Sequence, residues 1–169
     1  RQYFGWCLNM GRLYYRTLMA YKPVPGPDSF NVVPDLAEAP GEANADKTEW
    51  TYRLRDGVTY EDGTPITTED IKYAIMRLYA TDVINGGPSP YYWCLLDDCK
   101  DGKAQYKGPY KDADNEPMVN GQPSIQTPDD NTIVFNLTQP YADFDYLMAF
   151  GTVAPIPQEM ILSFIATHD

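Results

Sequence analysis

One histidine, three cysteines and thirteen basic residues in 169 leave this chain short of the groups that many chemistries require. The lone histidine, His168, stands far from Cys7, Cys94 and Cys99, so no zinc-type ligand set is expected and no metal is assigned. Thirteen Lys and Arg against 24 Asp and Glu give a formal net charge of −11. Such a chain repels phosphate backbones and anionic lipid, which excludes nucleic acid and bare membrane as partners. No apolar run reaches the roughly 18 residues of a membrane-spanning helix. Neither a G-x-G-x-x-G fingerprint nor a P-loop occurs, so nucleotide binding has no support.

The composition points to a folded, turn-rich chain. Apolar residues make up 43% and aromatics 14%, including fourteen tyrosines, enough for one sizeable core or two small ones sharing an interface. Fifteen prolines and twelve glycines argue against a helical bundle. The chain starts at Arg1 and runs out through the apolar Ile161–Ala166 stretch, so both ends are expected to be cuts in a longer protein.

Along the chain, residues 9–17 read as a helix followed by extended chain, and 22–30, with three prolines and a glycine, as a loop. Residues 32–37 read as one helical turn, and a Gly/Asn/Asp-rich loop is expected through Lys47. From Thr48 the alternation is strict: Trp50, Tyr52 and Leu54 share one face of a half-buried strand. Asp56-Gly57 should turn Val58–Tyr60 back onto that strand as a hairpin, and Asp62-Gly63 forms a second turn. A helix follows with Thr67 as N-cap, Asp70 at N3, an Ile66/Ile71 staple and an apolar stripe of Ile71, Ala74, Ile75, Leu78 and Tyr79, ending near Ala80. Residues 81–123 are loop-dominated. A hairpin is expected over 124–137, with Ile133, Phe135 and Leu137 on one face, then a short helix from Pro140 with Phe144, Leu147 and Met148 inward.

The run from Leu54 to Ile75, LRDGVTYEDGTPITTEDIKYAI, resembles the signature of family 5 extracellular solute-binding proteins, the receptors of peptide/nickel-type ABC importers. In-order matches at Val33–Ala37, Thr127–Phe135 and Ala154–Pro157 extend the resemblance over about residues 13–160. It implies a mixed α/β fold: part of one lobe of a bilobal periplasmic-binding-protein-like II receptor, built of short hairpins packed with a capped helix. It further implies a partial N-terminal lobe divided into a lobe-core segment (1–37), an α/β subdomain (38–153) and a return segment (154–169), with the second lobe absent. The implied function is non-enzymatic: capture of an oligopeptide by lobe closure and delivery to ABC permease subunits. The protein would be a monomer at the extracellular face or in the periplasm, its signal segment absent and its membrane contact only a lipid anchor missing from this chain. Nickel complexes, oligosaccharides and a non-transport surface receptor stand as alternatives. No catalytic residue and no cofactor is implied.

Ser89–Trp93 carries the candidate ligand-binding residues Tyr91, Tyr92 and Trp93. Similar receptors place a tyrosine of a Ser-Pro-Tyr near the cleft. Three adjacent aromatics can equally anchor a long loop to the core, the preferred reading for Tyr92 and Trp93, with Tyr91 open between the two. An exported location favours a Cys94–Cys99 disulfide over free thiols, with Cys7 a buried apolar residue. The calcium-loop-like Asp112–Glu116 lacks its glycine and terminal glutamate and reads as a solvated acidic loop. Asp97-Asp98 and Asp129-Asp130 read as turn formers with no catalytic partner nearby, and the Asn136-Leu137-Thr138 sequon lies at a strand end.

Overall fold

The computed structural model describes residues 10–11, 13–84 and 89–158; Cys7, His168, the Asn85–Pro88 breaker and the 161–166 stretch lie outside them. Strands β1 (Met19–Tyr21) and β2 (Val32–Pro34) form one antiparallel pair. Strands β3 (Glu42–Ala43), β4 (Glu49–Arg53), β7 (Ile125–Asp129) and β8 (Thr132–Asn136) form a four-stranded antiparallel sheet in the order β3-β4-β8-β7. A third, small pair joins β5 (Met118–Val119) to β6 (Gln122–Pro123). Helices α1 (Thr68–Met76) and α2 (Phe144–Leu147) complete the described elements longer than a single 3-10 turn.

The alternation at 50–54 becomes burial as expected: Trp50, Tyr52 and Leu54 point into the core, while Arg53 and Arg55 face water. They meet Ile133, Phe135 and Leu137 of the 125–137 hairpin, Ile71, Ile75 and Leu78 of the capped helix, and Phe144, Leu147 and Met148. Phe144 is the hub, its ring centroid 5.1 Å from Phe135, 5.8 Å from Trp50 and 6.4 Å from Tyr52. The Tyr52 hydroxyl donates to Asp145 Oδ1 at 2.8 Å, and the Gly41 amide donates to the same oxygen at 3.1 Å. Burial first, then the neighbouring carboxylate, raises the Tyr52 pKa well above the usual phenol range, so it stays a neutral donor.

Helix α1 starts as its sequence dictates. Thr67 and Asp70 form a capping box, with the Thr67 amide donating to Asp70 Oδ2 at 2.9 Å. A 3-10 turn, Arg77–Tyr79, carries the helix to Ala80.

Elsewhere local expectation gives way, most often to long-range pairing. The helix expected through Thr17 yields to a turn at Leu13-Tyr14, because 15–19 is drawn into extended pairing: Leu36 N–H donates to Thr17 O, and Arg16 pairs with Asp35 at 2.7 Å. Residues 32–34 form β2 rather than a helical turn, since β-branched Val32 and Val33 find β1 as a partner. Val58–Tyr60 pairs with Thr64–Ile66 across the Asp62-Gly63 turn instead of returning along β4, whose two edges are taken by β3 and β8. Within the expected loop 22–30, Pro27 opens a 3-10 turn, Pro27–Phe30, where its missing N–H is no loss. The helix expected from Pro140 begins only at Phe144.

The turns generate two testable outcomes. Gly57 and Gly108 both have positive φ, 72° and 87°, but only at Gly108 would a Cβ meet backbone, 2.7 Å from Ala80 N. Gly57→Ala should cost about 1 kcal/mol and Gly108→Ala at least about twice that in urea denaturation. Asp62 and Asp129 are acidified by backbone N–H donors from Thr64 and from Asn131 respectively. A depressed folded pKa stabilises above the unfolded value of about 3.9 and is lost as pH falls through the lower folded value. The melting-temperature gap between wild type and Asp129→Ala should therefore be present at pH 7 and close on acidification below about pH 4.

Candidate ligand-facing surface

Ser89–Tyr91 is a 3-10 turn whose Ser89 carbonyl accepts from the Tyr92 and Trp93 amides. A helical turn sends successive side chains in different directions, and this decides the fate of the three aromatics. Tyr92 points inward at 0% exposure, its hydroxyl donating to Leu147 O at 3.0 Å. Tyr79 of the α1 extension donates to the Tyr92 and Trp93 carbonyls, both at 3.3 Å. Trp93 is half-buried, and its indole Nε1 is enclosed without a hydrogen-bond acceptor among the described residues. In this arrangement Tyr92 and Trp93 bolt the turn between the two helices.

Tyr91 is thrown outward, 51% exposed, with its ring stacked on Phe150 at 6.0 Å between centroids and 24° between planes. Phe150 follows α2 and precedes the Gly151–Val153 turn, where a Cβ added to Gly151 would meet the Tyr15 ring at 3.6 Å. On the same helix Tyr146 meets Tyr21 of β1 edge-on at 6.2 Å. These are two aromatic pairs, each joining segments distant in the sequence. Phenolic faces of this kind pack apolar side chains and hydrogen-bond peptide groups with their rims. Sequence reasoning missed Phe150, Tyr146 and Tyr21: Phe150 falls off the α2 stripe, and no local pattern links it to a turn so far back in the chain.

The loop behind this turn is held by carboxylates and a disulfide. Cys94 and Cys99 are bonded, with Cα atoms 5.2 Å apart. Inside their ring, Asp97 is 2% exposed and accepts the amides of Gln105, Tyr106 and Met118, the last two at 3.0 and 3.3 Å. Asp98 accepts from the Asn120 amide at 2.8 Å, tying in the β5–β6 pair. Each aspartate is thus a backbone organiser. Asp129 caps its own hairpin turn in the same way, accepting from the Asn131 and Thr132 amides. The sequon asparagine, Asn136, ends β8 with its side-chain amide donating to Pro123 O at 3.1 Å. Among the described residues no three His, Cys, Asp or Glu side chains gather as a metal site, and no helix is long and apolar enough to cross a membrane.

This mixed α/β unit exposes Tyr91 stacked on Phe150. The family model for bacterial extracellular solute-binding proteins, family 5 (Middle), matches residues 31–164, and the chain belongs to that family. It is 32% identical over 135 residues to the probable D,D-dipeptide-binding periplasmic protein DdpA of Escherichia coli K12, covering 80% of this chain and 20% of that protein. It is 28% identical to the periplasmic oligopeptide-binding protein OppA of Salmonella typhimurium, covering 72% of this chain and 20% of that one. The chain therefore spans about a fifth of the length of the curated relatives it matches. Among solved structures, clavulanic acid biosynthesis oligopeptide binding protein 2 is 47% identical with a TM-score of 0.82, over 94% of this chain and 27% of that one. Listeria monocytogenes OppA bound to peptide shares the fold at 21% identity, with a TM-score of 0.70 over 95% of this chain and 28% of that one.

Opposite stability outcomes should separate the two neighbouring tyrosines. Tyr92→Phe removes one of the two donors to the Leu147 carbonyl, leaving the Phe150 amide, and should cost about 1 kcal/mol, whereas the half-exposed Tyr91→Phe should stay within about 0.5 kcal/mol. Asp97→Ala, which strands three loop amides, should cost about 3 kcal/mol. Chemical denaturation of the three variants checks the order.

Proposed function

We propose that this chain is the early part of the N-terminal lobe of an importer receptor that captures oligopeptides outside the cytoplasm and hands them to ABC permease subunits. What carries the reading is the 47% identity and TM-score of 0.82 to an oligopeptide-binding protein across nearly the whole chain. The relatives named periplasmic support an exported location, at the extracellular face or in the periplasm. In this reading the protein is a monomer and not an enzyme, held to the membrane by a lipid anchor outside this chain. Residues 38–153 form the α/β subdomain, and 1–37 with 154–169 belong to the lobe core; the separation of the β1–β2 pair from the four-stranded sheet supports that division.

Tyr91, backed by Phe150, supplies an aromatic wall to the cleft, and Tyr92 and Trp93 hold that wall from behind. Ligand binds the closed arrangement of the lobes more tightly than the open one and shifts the population toward it. The cleft would hold the peptide mainly through backbone hydrogen bonds, with roomy pockets tolerating varied side chains.

Native mass spectrometry of the full-length receptor, followed by denaturation and sequencing of what is released, should yield a ladder of peptide masses. A single sugar mass or a nickel adduct would instead assign the alternative ligands, and a genome lacking neighbouring permease and ATPase genes would favour a surface receptor. Tyr91→Ala should weaken peptide binding about five- to tenfold, as loss of one aromatic contact implies. Unchanged affinity would remove Tyr91 from the cleft.

A further inference from the structure

Behind the stacked pair of Tyr91 and Phe150 stands a residue of the α1 extension. Tyr79 is 4% exposed, and its hydroxyl is shared between the Tyr92 and Trp93 carbonyls. The Tyr92 carbonyl also accepts the Leu95 and Leu96 amides, so it does not need the Tyr79 hydroxyl for its own satisfaction. What the shared bond adds is a tether between the end of α1 and the peptide planes that directly follow Tyr91. Burial, then the charge of Asp97, raises the Tyr79 pKa well above the usual phenol range, so the hydroxyl keeps its proton and stays a donor.

Tyr79 is itself held from the other side. Its ring meets Tyr106 edge-on at 5.3 Å, and the Tyr106 amide is among those that Asp97 accepts. Arg77 Nε donates to the Tyr110 hydroxyl at 2.8 Å, and Gly108 packs so closely on Ala80 that a Cβ there would lie 2.7 Å from its backbone nitrogen. The α1 extension is therefore clamped by the 106–110 loop while it points a fixed donor at the aromatic turn. Successive side chains of a 3-10 turn diverge by about 120°, so a small rotation of the turn redirects an exposed ring such as Tyr91. A tether on the backbone next to that ring holds its direction.

We propose, on the reading of Tyr91 as a wall of the cleft, that Tyr79 is a positioning residue for the ligand: buried and out of its reach, it holds Tyr91 in the direction that peptide uses. The test is a double-mutant cycle on the full-length receptor, with the most abundant peptide released from it, resynthesised, as the probe in calorimetry. The proteins are wild type, Tyr79→Phe, Tyr91→Ala and the double variant. Asp129→Ala, which destabilises the β7–β8 turn, serves as the control for stability alone. Tyr79→Phe should weaken binding about threefold in the wild-type background, the scale of one neutral hydrogen bond, and leave affinity unchanged in the Tyr91→Ala background. Asp129→Ala should bind as wild type does. Affinity unchanged in Tyr79→Phe while Tyr91→Ala is weakened overturns the positioning role and leaves the cleft reading standing. Equal weakening by Tyr79→Phe with and without the Tyr91 ring, or similar weakening by Asp129→Ala, overturns it as well, because the effect then does not pass through Tyr91. Unchanged affinity in Tyr91→Ala removes Tyr91 from the cleft, and Tyr79 with it.

Discussion

The pairing of β4 with β8, Trp50 opposite Phe135 and Tyr52 opposite Ile133, is the contact on which the rest hangs. It closes a loop containing the capped helix, the disulfide ring and the acidic excursion, so each of those is an insertion held at its base by one antiparallel ladder. Closing so long a loop is entropically unfavourable. The offset comes from the aromatic cluster around Phe144 and from the Tyr52–Asp145 bond, which secures the far helix to the same strand.

From that base the structure manages a long irregular segment by a consistent device. Where the chain between α1 and β7 lacks regular secondary structure, buried or turn-bound carboxylates accept the orphaned amides: Asp97 for Gln105, Tyr106 and Met118, and Asp98 for Asn120. A fold rich in acidic residues can order loops in this way without hydrophobic mass, because ionised acceptors form stronger hydrogen bonds than neutral ones. The acidity that excluded nucleic acid on composition thus has a structural use inside the molecule.

The aromatic surface depends on the same bolting. Tyr91 is exposed because Tyr92 is not: anchoring Tyr92 to Leu147 and the Tyr92 and Trp93 carbonyls to Tyr79 fixes the turn, and its geometry then presents Tyr91 to Phe150. On the proposed reading, rings held in place before ligand arrives leave less ordering to be done on association.

The local code was legible where a residue's own backbone need decided its structure. The Thr67/Asp70 capping box, the Asp62-Gly63 turn, the alternating strand at 50–54 and the 125–136 hairpin were all readable, as was family membership through the 54–75 run that combines them. The helix expected at 9–17, which is helical at Met10–Gly11 but not toward Thr17, the helical turn expected at 32–37 and the hairpin expected across Asp56-Gly57 were misread for one reason. Short segments with ambiguous periodicity take whatever conformation their distant partners offer, and β1, β2, β3 and β8 supply those partners only once the chain has folded. The same holds for function: sequence singled out Ser89–Trp93, but only the tertiary structure chose which aromatic faces outward and gave it Phe150, since a 3-10 turn's facing is set by what its inward side chains can reach.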